Sequence, residues 1–192
     1  RRFIYLRQEN SGLSAARNAG LSKARGRFIQ ILDADDMLLP EKFKVQVRLL
    51  SALPENSLVY SSYARQYDSS YGGPRYQKLP PLLPRGSLLD SLILDWETNL
   101  SIPPHCFMFR RSHFGSTASF DVDLETHEDL DLYLKLAAAG VAFVHHKDVL
   151  AIYRRHGANM TGDRVRMARG YLLALGHASR RMSSRRDHFL VV

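Results

Sequence analysis

The sequence is poor in cysteine, in acidic residues and in long apolar runs, and each shortage removes a class of function. With a single cysteine, Cys106, the chain has no internal disulfide and no thiolate partner for a zinc cluster, as fits a reducing cytosol. Redox and zinc chemistry drop out. The longest apolar stretches, such as 136–144 with Gly140 in its middle, fall far short of the ~18–20 residues that cross a bilayer. The N-terminus lacks the charged-then-apolar order of a secretory signal. A cytoplasmic, soluble protein is therefore expected. No internal repeat, C-x-x-C pair, aromatic RNA-binding signature or helix-turn-helix is present, so no specific nucleic-acid partner is expected.

The shortage of acid is local. Lys and Arg number 27 against 19 Asp and Glu, a net charge of +8. From Arg154 onward nine Arg meet only Asp163 and Asp187, so +7 of the excess sits in the last 39 residues. Two segments are expected: a domain over 1–161 and a basic helical tail over 162–192. The tail reads as a solvated basic helix or as a peripheral contact with an anionic surface, such as the inner face of a membrane. With 192 residues, 45% of them hydrophobic, the remainder can build one full core.

Strand and helix signals alternate along that domain. A strand is expected at 2–8, a helix at 14–25 with Ser14 as its cap and Gly26 as its stop, and a doubly buried strand at 27–32. After Pro40 a helix should bury Phe43, Val47 and Leu50. A strand at 57–67, a long Gly/Pro-rich loop at 69–85, a helix near 87–96 and a strand at 106–110 follow. A helix ending at Gly140, two short strands at 141–146 and 149–155, and a last helix over 161–181 complete the order. This is the pattern of an α/β fold with a mixed, mostly parallel sheet flanked by helices.

Three carboxylates, Asp33, Asp35 and Asp36, stand where the strand at 27–32 runs out. Ligands of open α/β sheets collect at such carboxyl ends. Acids this close repel one another unless a cation or hydrogen-bond donors compensate, and oxygen ligands suit Mg²⁺ or Mn²⁺ bound together with phosphates. Capping of the next turn by Asp33 and Asp36 would explain them equally well. A second acidic group, Glu128, Asp129 and Asp131, opens the helix before Gly140, where Thr126 and Asp129 match a capping box.

The stretch upstream of the first acids separates these readings. Asn10, Gly12, Ser14, Ala16, Arg17, Asn18, Gly20, Ala24 and Gly26 precede Leu32, Asp33, Asp35 and Asp36 in a fixed register. Together they resemble the N-x-G-x-S-x-A-R-N-x-G, A-x-G and L-D-x-D-D motifs of family 2 glycosyltransferases of GT-A fold. "EDLDLYLKLAAAG" resembles the family's E-D-x-D-L helix, and "YRRHGANMT" its Y-R-x-H-x-x-N segment. The resemblance covers about residues 3–161 and implies a chain that begins at the family's third strand, short of the first strands that bind the nucleotide base.

The resemblance implies an inverting, metal-dependent transfer of a sugar from a nucleoside-diphosphate sugar, most often a UDP-sugar. The acceptor would be a saccharide or a lipid-linked molecule in polysaccharide synthesis. Asp129 becomes the catalytic base. Asp35, with Asp33 and His156, is placed at a Mn²⁺ or Mg²⁺ ion, while Arg17, Asp33, Asn10 and Glu128 are placed on substrate. Two other classes fit parts of the sequence. A dehalogenase-like phosphatase also sets D-x-D after a strand, but Met37 stands where it expects Thr or Val. A non-catalytic module that binds anionic surfaces would use only the basic tail.

Overall fold

A computed structural model describes residues 3–71, 75–78, 87–96, 100–115 and 118–182. In chain order its elements are α1 (Gly12–Lys23), β1 (Phe28–Ile29), β2 (Met37–Leu38), α2 (Lys42–Ala52), β3 (Ser57–Tyr67), β4 (Arg75–Lys78), α3 (Leu88–Leu94), β5 (Phe107–Arg110), α4 (Glu128–Ala138), β6 (Ala142–Arg155) and α5 (Arg164–Arg181). Short 3₁₀ turns at Ser69–Tyr71, Pro104–Cys106, Arg111–His113 and Met160–Gly162 link them.

The sheet is built around β3, whose first eight residues are all buried. It runs parallel to β6 from the pair Ser57 with Ala142 to the pair Tyr67 with Arg155. Two strands were expected in that second segment because Lys147 and Asp148 interrupt the apolar pattern. The structure instead carries them as an irregularity within one strand, where Ser61 pairs with His146 and Ser62 with Val149. A local irregularity keeps the ladder going at the cost of two register shifts, on either side of Ser62. The remaining pairings are antiparallel: β5 lies on the other side of β3, with β1 beyond it, β2 flanks β6, and β4 extends the second half of β3. Parallel pairing is thus long but confined to one pair of strands among the described residues.

Several expected elements differ. Residues 3–8 form no strand; Phe3, Ile4 and Tyr5 are exposed and, among the described residues, no strand lies beside them to take up their backbone groups. The strand expected over 27–32 shrinks to two residues on the sheet edge. Helix α1 begins two residues early, after Ser11, and Ser14 is buried inside it rather than capping it. In α2 the face turned inward is Lys42, Gln46 and Leu50, while Phe43 is exposed. Polar groups occupy that face because they have a target: Lys42 Nζ and Gln46 Nε2 both donate to the Cys106 carbonyl at 3.0 Å. Burial, opposed by the nearby Cys106, lowers the Lys42 pKa to about 8. Of the long loop at 69–85, the turn at Ser69–Tyr71 and β4 are described; its other residues, and residues 183–192 of the basic tail, lie outside the described part.

The core sits between the sheet and α3 and α4. Phe107 of β5 stacks 4.4 Å from Tyr133 of α4, and Trp96 approaches Tyr133 at 5.7 Å. Leu130, Leu132, Leu134 and Leu136 are also buried, so α4 is enclosed on nearly every side. At about 1.5–3 kcal/mol for each fully buried large side chain, this packing fixes the orientation of the acidic first turn of α4. Helix α5 covers α4 through Ala174, Leu175 and Ala178. Among the described residues no helix is long and apolar enough to cross a membrane.

Candidate functional site

The ends of β3 and β6, the turn 33–36, the start of α4 and the start of α5 surround a cleft of about 820 Å³. All three carboxylates after β1 line it, with Arg17, Glu128 and Asp129. Each carboxylate has a different partner. Asp33 receives both oxygens' hydrogen bonds from Arg17 Nη2, at 2.7 and 2.9 Å. Asp35 Oδ2 lies 3.1 Å from His156 Nε2 and 3.4 Å from Asn159 Nδ2. Asp36 is buried, with Oδ2 2.8 Å from His105 Nδ1 and Oδ1 accepting from the Arg154 N–H at 2.9 Å.

The three acids therefore do three jobs. Asp36 fastens the turn to the end of β6 and to the 3₁₀ turn before β5. Asp33 fastens it to α1. Asp35 is left facing the cleft, more than a third exposed, beside the imidazole of His156.

Arg17 joins the two acidic groups. Its Nη1 reaches Glu128 Oε1 at 2.5 Å while Nη2 holds Asp33, so one buried guanidinium bridges the turn after β1 to the first turn of α4. Burial pulls the Arg17 pKa down, but Asp33, Glu128 and Asp129 outweigh it and the net shift is upward. The guanidinium stays charged.

Asp129 follows Glu128 at the helix start. The expected capping box with Thr126 does not form: the cap position is His127, in the left-handed region at φ 62°, and the Asp129 Oδ1 accepts from Leu130 N at 2.8 Å. Left-handed backbone at a histidine costs energy of order 1–3 kcal/mol and is kept only where surrounding contacts impose it. Here it turns the carboxylate of Asp129 toward the cleft. Burial and the Glu128 charge push the Asp129 pKa up to about 7, against His127 and Arg17, which lower it. A carboxyl group with that pKa can take a proton near neutral pH.

Helix α5 supplies the contacts that hold this turn. His177 meets Asp121 at 2.9 Å, Arg166 meets Glu125 at 3.3 Å, and Arg181 pairs with Asp131. The Tyr171 ring lies 5.6 Å from His127, and its hydroxyl donates to the Ile93 carbonyl at 2.7 Å. Two arginines of the basic stretch are thus engaged by acids of this domain. Gly170 permits the approach: a methyl group there would stand 1.8 Å from Thr126 Oγ1 and 3.2 Å from the Thr126 carbonyl oxygen. Gly170→Ala gains about 1 kcal/mol of helix propensity but forces the turn to move. We expect net destabilisation of about 1–3 kcal/mol in urea unfolding. Unchanged stability would show that Thr126 simply swings aside.

With this geometry in view, the relatives fall into place. The model of glycosyl transferase family 2 matches residues 1–116. The chain belongs to that family. Among curated proteins, the amylovoran biosynthesis glycosyltransferase AmsE of Erwinia amylovora is 29% identical over 158 residues, covering 82% of this chain and 55% of AmsE. An uncharacterised glycosyltransferase, RP339 of Rickettsia prowazekii, is 27% identical over 177 residues, covering 88% of this chain and 52% of its own. The crystal structure of S. aureus TarS in complex with UDP-GlcNAc superposes with a TM-score of 0.65 at 13% identity, covering 91% of this chain and 48% of TarS. The fold is of the GT-A type. The chain spans about half the length of these relatives.

Within this family 2 domain, the residues singled out in sequence come together with one exception. Arg17, Asp33, Asp35, Glu128 and Asp129 line one cleft, and His156 touches Asp35. Asn10 does not line it; its Oδ1 accepts from Gly12 N at 3.2 Å and shapes the entry to α1. Among the described residues no three His, Cys, Asp or Glu side chains converge into a metal cage. The Y-R-x-H-x-x-N resemblance contained Tyr153 and Asn159 but gave them no role, although Asn159 touches both Asp35 and His156; Tyr63, Arg65, Tyr67 and Arg155 also line the cleft. For the first three the signal was present in "YARQY", where alternate residues of a strand share a face.

Proposed function

We propose that this domain transfers a sugar, with inversion, from a nucleoside-diphosphate sugar such as a UDP-sugar to a hydroxyl of a saccharide or lipid-linked acceptor. The observation that carries this reading is the Arg17 bridge, which sets the acidic turn and the Asp129 carboxyl on one cleft. The UDP-GlcNAc in the similarly folded TarS supports the choice of donor.

The residues fit a divalent ion that shares its ligands with the donor. Asp35 offers a carboxylate to the open cleft, with Asn159 beside it and the His156 imidazole behind it at 3.1 Å, and Mg²⁺ or Mn²⁺ bound with phosphates needs only one or two protein groups. Asp33, occupied on both oxygens by Arg17, is left outside that shell. When bound, such an ion supplies Lewis-acid stabilisation of the leaving diphosphate.

The chain's own groups do the rest. Asp129 takes the proton of the acceptor hydroxyl as its oxygen bonds to the anomeric carbon, and the bond from that carbon to the diphosphate breaks on the opposite face. Arg17 keeps Glu128 and Asp33 neutralised, so that repulsion does not close the base off from its ionised form. Asp36 keeps Asp35 in place without touching substrate.

Binding of UDP to the chain in the presence of Mn²⁺, followed calorimetrically, tests the donor side. Asp35→Ala should weaken it by at least about tenfold, the scale of losing a metal ligand's support. Equal Mn²⁺-dependent binding in wild type and Asp35→Ala would remove Asp35 from the metal site.

A further inference from the structure

The second half of β3 and the end of β6 present a face that the transfer chemistry does not use. Tyr63, Arg65 and Tyr67 alternate along β3, and by register Arg65 stands beside Tyr153 and Tyr67 beside Arg155. All five line the cleft. Alternate residues at and just past the end of β6 serve two places. Arg154 and His156 turn to Asp35, through the Asp35 carbonyl and carboxylate respectively, whereas Tyr153 and Arg155 belong to the face shared with β3.

The two arginines on this face are half-buried and, among the described residues, neither meets a carboxylate. Arg155 donates to Thr161 Oγ1 at 2.5 Å and to the Tyr71 hydroxyl at 3.2 Å, with its guanidinium 5.5 Å from the Tyr71 ring centre. Arg65 reaches the Tyr63 hydroxyl at 3.5 Å and also meets Tyr67, both of them neutral groups, and its Nε is buried with no hydrogen-bond partner among the described residues. Arg17, in the same cleft, has two carboxylates. A cation held out of water without a counter-charge is costly, and the planar guanidinium is shaped to receive a phosphate or carboxylate through two parallel hydrogen bonds. The flanking tyrosines offer flat faces of the kind on which sugar rings rest.

We propose that Arg65 and Arg155, with Tyr63, Tyr67 and Tyr153, form an acceptor subsite for a sugar that carries a phosphate or carboxylate. This rests on reading the cleft as a transfer site, and it narrows the acceptor to an anionic saccharide. On that reading, the donor's diphosphate belongs at Asp35, which Arg154 and His156 meet, and not at Tyr153 and Arg155, so the two anions have separate places. The turn at Ser69–Tyr71, which stacks on Arg155, walls the subsite on the side of β4.

The probes are glucose 6-phosphate and glucose, titrated without metal into the chain at low salt and followed by NMR. Glucose 6-phosphate should bind at least about tenfold more tightly than glucose, in line with charge-assisted hydrogen bonds, and should weaken as salt is added. The double variant Arg65→Gln/Arg155→Gln should lose that preference while its melting temperature and Mn²⁺-dependent UDP binding stay at wild-type values; Arg→Lys at both positions should restore part of it. Saturating UDP with Mn²⁺ should leave glucose 6-phosphate bound. Equal binding of glucose and glucose 6-phosphate, or an undiminished preference in the double Gln variant, overturns the subsite. Displacement of glucose 6-phosphate by UDP also overturns it, by assigning the arginines to the donor. Failure of the donor reading itself shows separately, as absence of Mn²⁺-dependent UDP binding in the wild-type chain.

Discussion

Asp129→Asn should abolish transfer and, at the same time, make the domain more stable above neutral pH. The carboxyl group sits beside Glu128 in the cleft wall, and burial together with that neighbouring charge raises its pKa to about 7. An unfolded chain ionises an aspartate near pH ~3.9. Between about pH 4 and 7 the folded state therefore holds a proton that the unfolded state has lost, and stability falls as pH rises through that window. Above about 7 the ionised base is present in full, with its cost to the fold.

Asparagine has the same shape and no charge. At pH 8 the variant should gain on the order of 1–2 kcal/mol in urea unfolding, a figure reduced for the part of the group that reaches solvent. Well below pH ~3.9, where the wild-type carboxyl is neutral in both states, the two proteins should unfold alike. Transfer should fall by about 10²–10⁴-fold, the usual contribution of a positioned base. Its wild-type kcat/KM should rise through pH about 7 as Asp129 ionises. Full transfer in Asp129→Asn would remove Asp129 as the base. Identical stability of the two proteins at pH 8 would show that its carboxylate carries no strain.

How much of this was legible beforehand depends on the range over which each residue acts. Strand 57–67 and the helix before Gly140 were readable because their apolar patterns are long and their stops are local: Gly140 takes φ 75°, which a side chain would resist. Residues 3–8 look like a strand by composition, yet a strand needs a neighbour, and composition does not say whether one is there. In helix α2 the expected Leu50 and Val47 pack inward but Phe43 does not, and the polar Lys42 and Gln46 were missed; what draws them inward is the carbonyl of Cys106, at least sixty residues away.

The site shows the same division. The acids were visible as a cluster, but their separate duties depend on partners far along the chain. Asp33 and Glu128 share Arg17, Asp35 meets His156, and Asp36 meets His105 and Arg154. A capping box at Thr126 was the natural local reading of Glu128 and Asp129. Gly170 of helix α5 instead lies against Thr126, and His127 takes the left-handed region. No local pattern around residue 126 records that contact.

The largest loss of stability is expected from Arg17→Met. The guanidinium is buried against Glu128 and Asp33, and it also lies 5.1 Å from the Phe120 ring centre, so methionine keeps the packing and removes the charge. Two carboxylates drawn to one point would then face each other without a counter-ion. Removing one partner of a buried ionic group costs about 3–5 kcal/mol, a third or more of the whole stability of many domains. The neighbouring Asn18 still fastens α1 to Phe120, through hydrogen bonds at 2.8 and 3.0 Å to its carbonyl and N–H, so α1 stays docked and the loss reports the charge. Arg17→Met/Glu128→Gln tests this directly: removing the second charge should recover part of the lost stability, as coupled neighbours do. If the single variant unfolds at the wild-type urea concentration, the bridge contributes nothing. A consequence for the base follows from the same contact. Arg17 is one of the groups that pull the Asp129 pKa down, with His127 and the Leu130 N–H, so its loss should move the ionisation of Asp129, and with it the rising limb of kcat/KM, to higher pH. An alkaline shift of that limb in Arg17→Met, absent from Gly170→Ala, would separate an electrostatic role for the arginine from a merely structural one.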